Sequence, residues 1–138
     1  MINAMKTDWT LLGVFLLLLI TVCGCSLERP PVNFVQQVSQ ADHLVVTNLY
    51  RPVFFTVIGG ELQRLRTAVT NAIRDKNNYG ATFDFEVQFY AKTNLLTVIH
   101  LQDRAFIAKT GQYSDNSGVL KALYNEWEQR EEKAQDNR

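Results

Sequence analysis

The chain has 138 residues, 46% of them hydrophobic and 20% charged, with 14 Lys and Arg balanced by 14 Asp and Glu. That is the material of one modest domain, and the neutral balance leaves no basic surplus to attract a phosphate backbone, which argues against nucleic acid as a partner. Both cysteines, Cys23 and Cys25, close an apolar N-terminal run, so the rest of the chain has no thiol for a disulfide, a CxxC redox motif or a cysteine-rich zinc site.

From Leu11 to Cys25 fifteen residues pass without a charge, preceded by Lys6 and Asp8. A bilayer span needs about 20 apolar residues and a signal-peptide core about 7 to 15, so the length fits a targeting segment. Met5, followed directly by Lys6, is an alternative start to Met1. The run ends in Val22-Cys23-Gly24-Cys25-Ser26, which resembles the lipobox of bacterial lipoproteins: an aliphatic residue, two small ones, then cysteine. The resemblance implies cleavage between Gly24 and Cys25, a thioether-linked diacylglycerol on Cys25, and acylation of the new amino group. Cys23 fits less well, because bulky Val22 precedes it. Two or more acyl chains, at roughly 0.8 kcal/mol per buried methylene, anchor a domain stably where one does not. An ordinary secretory signal and an uncleaved anchor are the alternatives. In an organism with two membranes, Ser26 after the cysteine resembles lipoproteins sent to the outer membrane, facing the periplasm. The likeness covers residues 1–25 and carries no fold or activity to the remainder.

Residues 1–24 are thus expected to be a signal peptide, 25–42 the lipidated cysteine and a tether, and 43–138 an α+β domain. A Pro-Pro pair and several glutamines mark the tether. Its seventeen residues beyond Cys25 reach about 55 Å extended and about 20 to 25 Å as a flexible chain. The alternative is that Phe34, Val35 and Val38 form a short element docked on the domain.

His43 to Thr47 and Val53 to Ile58 read as strands, rich in β-branched and aromatic residues and separated near Pro52. After Gly59-Gly60, Leu62, Leu65, Val69, Ala72 and Ile73 make one apolar helical stripe, with Glu61 in the first turn and Arg74 and Lys76 in the last to complement the helix dipole. Phe83, Phe85, Val87 and Phe89 alternate with polar residues as a strand. Leu95 to Leu101 reads as a central strand, apolar at nearly every position. A five-residue loop would set Phe89 against Leu95, Val87 against Thr97 and Phe85 against Ile99, all toward the core. A tight turn at Asp103-Arg104 then sets Phe106 against Leu101. The last element is a helix capped by Ser114 or Ser117, with Val119, Leu120, Leu123 and Trp127 inward and a charged end expected to fray beyond Trp127. The order β-β-α-β-β-β-α predicts a two-layer fold, an antiparallel sheet with two helices on one face.

The mature chain has no HExxH, no glycine-rich phosphate loop and no GxSxG elbow. The expected register places His100 opposite Asp84, a pairing that in principle orients a general base but more simply is a cross-strand polar pair. His43 has no visible partner. Gly59-Gly60 reads as a tight turn rather than an anion site, and Asp42, Asp115 and Asn116 lack calcium-loop spacing. No metal or cofactor is expected beyond the covalent lipid. The face of the sheet turned from the core gathers Tyr90, Leu96, Val98, His100 and Ile107, an apolar and aromatic patch with a polar rim that suits a protein partner. The expected function is that of a membrane-anchored envelope lipoprotein whose domain is an accessory or protein-binding factor. An inhibitor or immunity-type lipoprotein acting on an envelope enzyme is the alternative, and an enzyme using Asp84 and His100 comes third.

Overall fold

The computed structural model describes residues 27–76 and 82–137. In chain order the elements are α1 (Val32–Gln40), β1 (His43–Asn48), β2 (Phe54–Val57), α2 (Gly59–Thr70), β3 (Ile73–Arg74), β4 (Phe85–Ala91), β5 (Asn94–Gln102), β6 (Ala105–Ala108), β7 (Gly111–Ser114) and α3 (Val119–Asp136). The seven strands form one sheet in the order β2-β1-β4-β5-β6-β7-β3, antiparallel at every pairing. This is an α+β fold. Leu44, Val46, Phe85, Val87, Phe89, Ile99, Leu101, Phe106 and Tyr113 supply the inner face, against which Phe34, Val38, Leu62, Leu65, Val69, Leu120, Leu123 and Trp127 of the helices are buried.

The expected tether is in large part the helix α1, the docked alternative. Phe34 and Val38 lie one turn apart and are both buried, with Phe34 stacked on Phe106 and Tyr113 at 6.2 and 6.5 Å between centroids. Pro31 occupies the N-cap position, where a missing amide is harmless and its fixed φ suits the chain's approach to the helix. The first of the two expected helices is shorter than its stripe: α2 stops at Thr70 with Asn71 as C-cap, and Ile73–Arg74 pair with β7 instead. Propensity favoured continuation, but the sheet edge offered Ile73 and Arg74 backbone partners.

The β4–β5 register is Phe85 with Leu101, Val87 with Ile99 and Phe89 with Thr97, two residues from the expected one. Ala91 pairs with Asn94 around a two-residue Lys92-Thr93 turn, and a bulge follows at Tyr90. Lys92 takes φ +54 there, a left-handed turn position usually held by Gly or Asn, so the turn has no glycine to announce it. A slip of two keeps every side chain on its face, which is why the expected inner residues are nonetheless correct. The β5–β6 pairing of Leu101 with Phe106 and Ile99 with Ala108 is as expected.

At the N-terminus of α3 the expected serine caps are only partly right. Ser114 lies in β7, while Asp115 Oδ2 accepts from Leu120 N at 2.9 Å and Oδ1 accepts from Ser117 N at 2.9 Å; Gly118 is the N-cap residue, at φ +83. The helix does not fray after Trp127. Glu131, expected in solvent, is fully buried and accepts a hydrogen bond from Asn48 Nδ2 at 2.8 Å.

Candidate binding face

Helices cover one side of the sheet, and by strand alternation His43, Val45, Thr47, Glu86, Gln88, Tyr90, Val98, His100 and Ile107 occupy the other. Of the five residues expected on this face, Tyr90, Val98, His100 and Ile107 are there: Val98 lies opposite Gln88, and His100 sits between Glu86 and Ile107. Leu96 is a correction. The bulge pairs Tyr90 with Leu95, which is 50% exposed, while Leu96 packs against the hydrophobic core. Gly24 and Cys25 lie outside the described residues.

The polar members of the face partner one another. Tyr90 Oη donates to Gln88 Oε1 at 2.9 Å, Gln88 Nε2 donates to Glu86 Oε1 at 2.6 Å, and the other Glu86 oxygen lies 3.3 Å from His100 Nε2. At the far end the His43 ring stacks on Tyr90 at 5.4 Å, and His43 Nδ1 pairs with the Asp42 carboxylate. Asp42 Oδ2 also accepts from Lys92 N at 2.7 Å. That backbone bond first, and His43 second, hold the Asp42 carboxyl below the usual carboxylate range. The result is a ladder across β1, β4 and β5, with aliphatic Val45, Val98 and Ile107 beside it. Polar groups satisfied within the face need not be stripped of water one by one when a partner covers it, and the aliphatic groups supply area.

The expected meeting of Asp84 with His100 does not occur. His100 faces Glu86 because of the two-residue register difference, and Asp84 Oδ2 instead accepts the Tyr124 hydroxyl of α3 at 2.5 Å. Burial, and then the Asp84 carboxylate, push the Tyr124 phenol well above its usual range. Asp84 therefore fastens α3 to the start of β4. Glu61 does similar work, accepting from Trp127 Nε1 and from Arg130 Nη2, while the Arg130 guanidinium lies 4.7 Å from the centre of the Phe55 ring. Arg64 meets Glu126 through two bonds of 2.9 and 3.1 Å. These ionisable groups are occupied in helix packing.

Sequence reasoning missed a second exposed apolar group, at the β2 edge: Tyr50, Phe54 and Ile58, with Phe54 75% exposed. The signal was present in Phe54-Phe55, since adjacent strand residues face opposite ways and one must face out. Among the described residues no cluster of three or more His, Cys, Asp or Glu side chains is arranged to hold a metal ion. No helix among them is long and apolar enough to cross a membrane. No family model matches the chain, and neither the curated proteins nor the solved structures contain a match to it.

Proposed function

We propose that the chain is an envelope lipoprotein, anchored through a lipid on Cys25, whose α+β domain is an accessory factor that binds another envelope protein or a cell-wall component. The observation that carries the binding role is the sheet face left open by the helices, with Val98, Ile107 and Tyr90 grouped around a self-paired ladder that includes His100. Anchoring confines the domain to a surface and so raises its effective concentration toward partners held in the same membrane or wall. The catalytic alternative loses its support, since Asp84 and His100 are engaged with different partners.

Crosslinking in cells, followed by purification of the lipidated protein, tests this reading with a Val98→Lys variant in parallel. Loss of a specific crosslinked partner in the variant supports the face. Identical capture by both forms counts against it. Inhibition of an envelope hydrolase by the purified protein would favour the inhibitor alternative. For the anchor, Cys25→Ala should leave an uncut precursor without lipid, and normal processing of that variant would sink the lipobox assignment.

A further inference from the structure

The fold leaves almost no slack between the proposed anchor and the domain, an inference that rests on Cys25 lipidation. Glu28 already belongs to the fold: its carbonyl accepts from Arg74 N at 2.7 Å, on the outer side of β3, and its carboxylate lies 3.3 Å from Arg74 Nη1. Three residue steps separate Cys25 from Glu28, at most about 11 Å of chain. The β3 edge is thereby held close to the headgroups, not at the distance a seventeen-residue tether would allow.

The side chains at this end of the sheet are largely basic. Arg29 follows Glu28, and Lys76 joins Arg74, Glu28 and Asp75 around a concavity of about 590 Å3. Nearby, Lys109 and Thr110 of the β6–β7 turn border a groove together with Pro31 and Asn33. The two carboxylates are engaged, Glu28 with Arg74 and Asp75 with the Ser114 hydroxyl at 2.9 Å. Arg29, Lys76 and Lys109 are exposed and make no ion pair among the described residues. Three cations without an ion pair among the described residues thus lie at this end of the sheet, beside Glu28 in sequence or along its two concavities.

We infer that this end of the domain rests on anionic phospholipid headgroups through Arg29, Lys76 and Lys109, so that the sheet stands up from the bilayer on its β3 edge. Seven strands lie between the two edges inclusive, which puts β2 about 29 Å farther out at about 4.8 Å per strand. The exposed Tyr50, Phe54 and Ile58 are then presented away from the membrane. Each basic side chain at an anionic surface favours the docked arrangement roughly fivefold.

The mature lipoprotein offers a clean labelling scheme, because Cys23 leaves with the signal peptide and the Cys25 thiol is consumed by the lipid. An introduced cysteine is then the sole free thiol. Thr110→Cys and Thr56→Cys, both at exposed positions, would be labelled with a fluorophore in the lipidated protein. Vesicles of phosphatidylcholine, with or without phosphatidylglycerol, would carry a headgroup spin label as quencher. Strong quenching at position 110 with phosphatidylglycerol present, and weak quenching at position 56, is the expected result. Combining Arg29→Gln, Lys76→Gln and Lys109→Gln should lower the docked-to-undocked ratio roughly fivefold per charge. Equal quenching at both positions, or more at position 56, overturns the orientation. Quenching at position 110 that ignores both phosphatidylglycerol and the triple substitution overturns the cationic contact. The intact mass is read separately: if Cys25 carries no diacylglycerol, the anchor and the orientation fall together, whereas a lipidated protein with the wrong quenching pattern refutes the orientation alone.

Discussion

Asn48→Leu removes three hydrogen bonds and strands a carboxylate in the interior. Glu131 is fully buried, its Oε2 accepts from Asn48 Nδ2 at 2.8 Å, and its Oε1 has no hydrogen-bond partner among the described residues. Arg51, half-exposed at 3.8 Å from Oε2, is the cation nearest to hand. Depriving a buried charge of its partner costs about 3 to 5 kcal/mol. Arg51 remains, and the carboxyl can take up a proton, so the expected loss at neutral pH is near the lower end, about 3 kcal/mol. Asn48 Oδ1 also accepts from the backbone of Tyr50 and Arg51 at 2.8 and 3.1 Å, which adds about 0.5 to 1 kcal/mol. Against a total of about 5 to 15 kcal/mol for a domain, that is a large fraction, visible as a fall in Tm of about 15 °C.

The same site has a pH signature. Burial holds the Glu131 carboxyl above its ordinary value of 4.5, outweighing the opposing pull of Asn48 and Arg51. A carboxyl whose folded pKa is raised keeps its proton longer in the native state, so the unfolded chain ionises first. Its contribution to stability is therefore lost as pH rises from the unfolded value through the raised one. Glu131→Gln keeps an oxygen for Asn48 and discards the charge, so it should remain within about 1 kcal/mol of the parent at neutral pH. The stability of Glu131→Gln relative to the parent should rise with pH and then level off. Urea unfolding of the parent, Asn48→Leu and Glu131→Gln from about pH 4 to about pH 8 measures both effects. The reasoning is refuted if Glu131→Gln loses as much as Asn48→Leu at neutral pH, or if its difference from the parent does not change with pH.

Trp127→Ala empties the space between Phe55 and Phe85, whose rings meet the indole edge-on at 5.8 and 5.7 Å; a loss of about 3 to 5 kcal/mol is expected in urea unfolding. Asp115→Ala removes the acceptor for Leu120 N and Ser117 N and should cost about 1 to 2 kcal/mol by the same assay. Gly118→Ala meets no atom within 4 Å but must keep φ +83, so about 1 to 2 kcal/mol of purely conformational cost is expected. Phe54→Ser, on an exposed edge, should shift stability by no more than about 0.5 kcal/mol, and a larger loss would mean that the ring is covered in the native protein.

Local pattern accounts for much of what could be read in advance. The alternation through Phe85, Val87 and Phe89 fixed which side chains face the core, and the spacing of Leu120, Leu123 and Trp127 marked the inner stripe of α3. Because strand faces repeat every two residues, the error in the β4–β5 loop left the inner set intact. It did alter every partner between β4 and β5, so Val98 and Ile107 lie on the expected face while Asp84 does not pair with His100. The bulge then carried Leu96 off the expected face and left Leu95 opposite Tyr90.

The sequence alone determined the α+β class, the core faces of the strands and the lipobox resemblance at Cys25, since each depends on side chains close together along the chain. Tertiary structure decided whether weakly patterned segments became ordered. Phe34 and Val38 make a helix of residues that composition assigned to a tether, because Phe106 and Tyr113 offer aromatic surface to stack on. Ile73 and Arg74 leave a helical stripe for a strand because β7 lies beside them. Glu131 turns inward within a charged helix end because Asn48, 83 residues earlier, is positioned to donate to it. In each case the deciding partner is distant in the chain, so the free energy that selects the conformation has no local trace in the sequence.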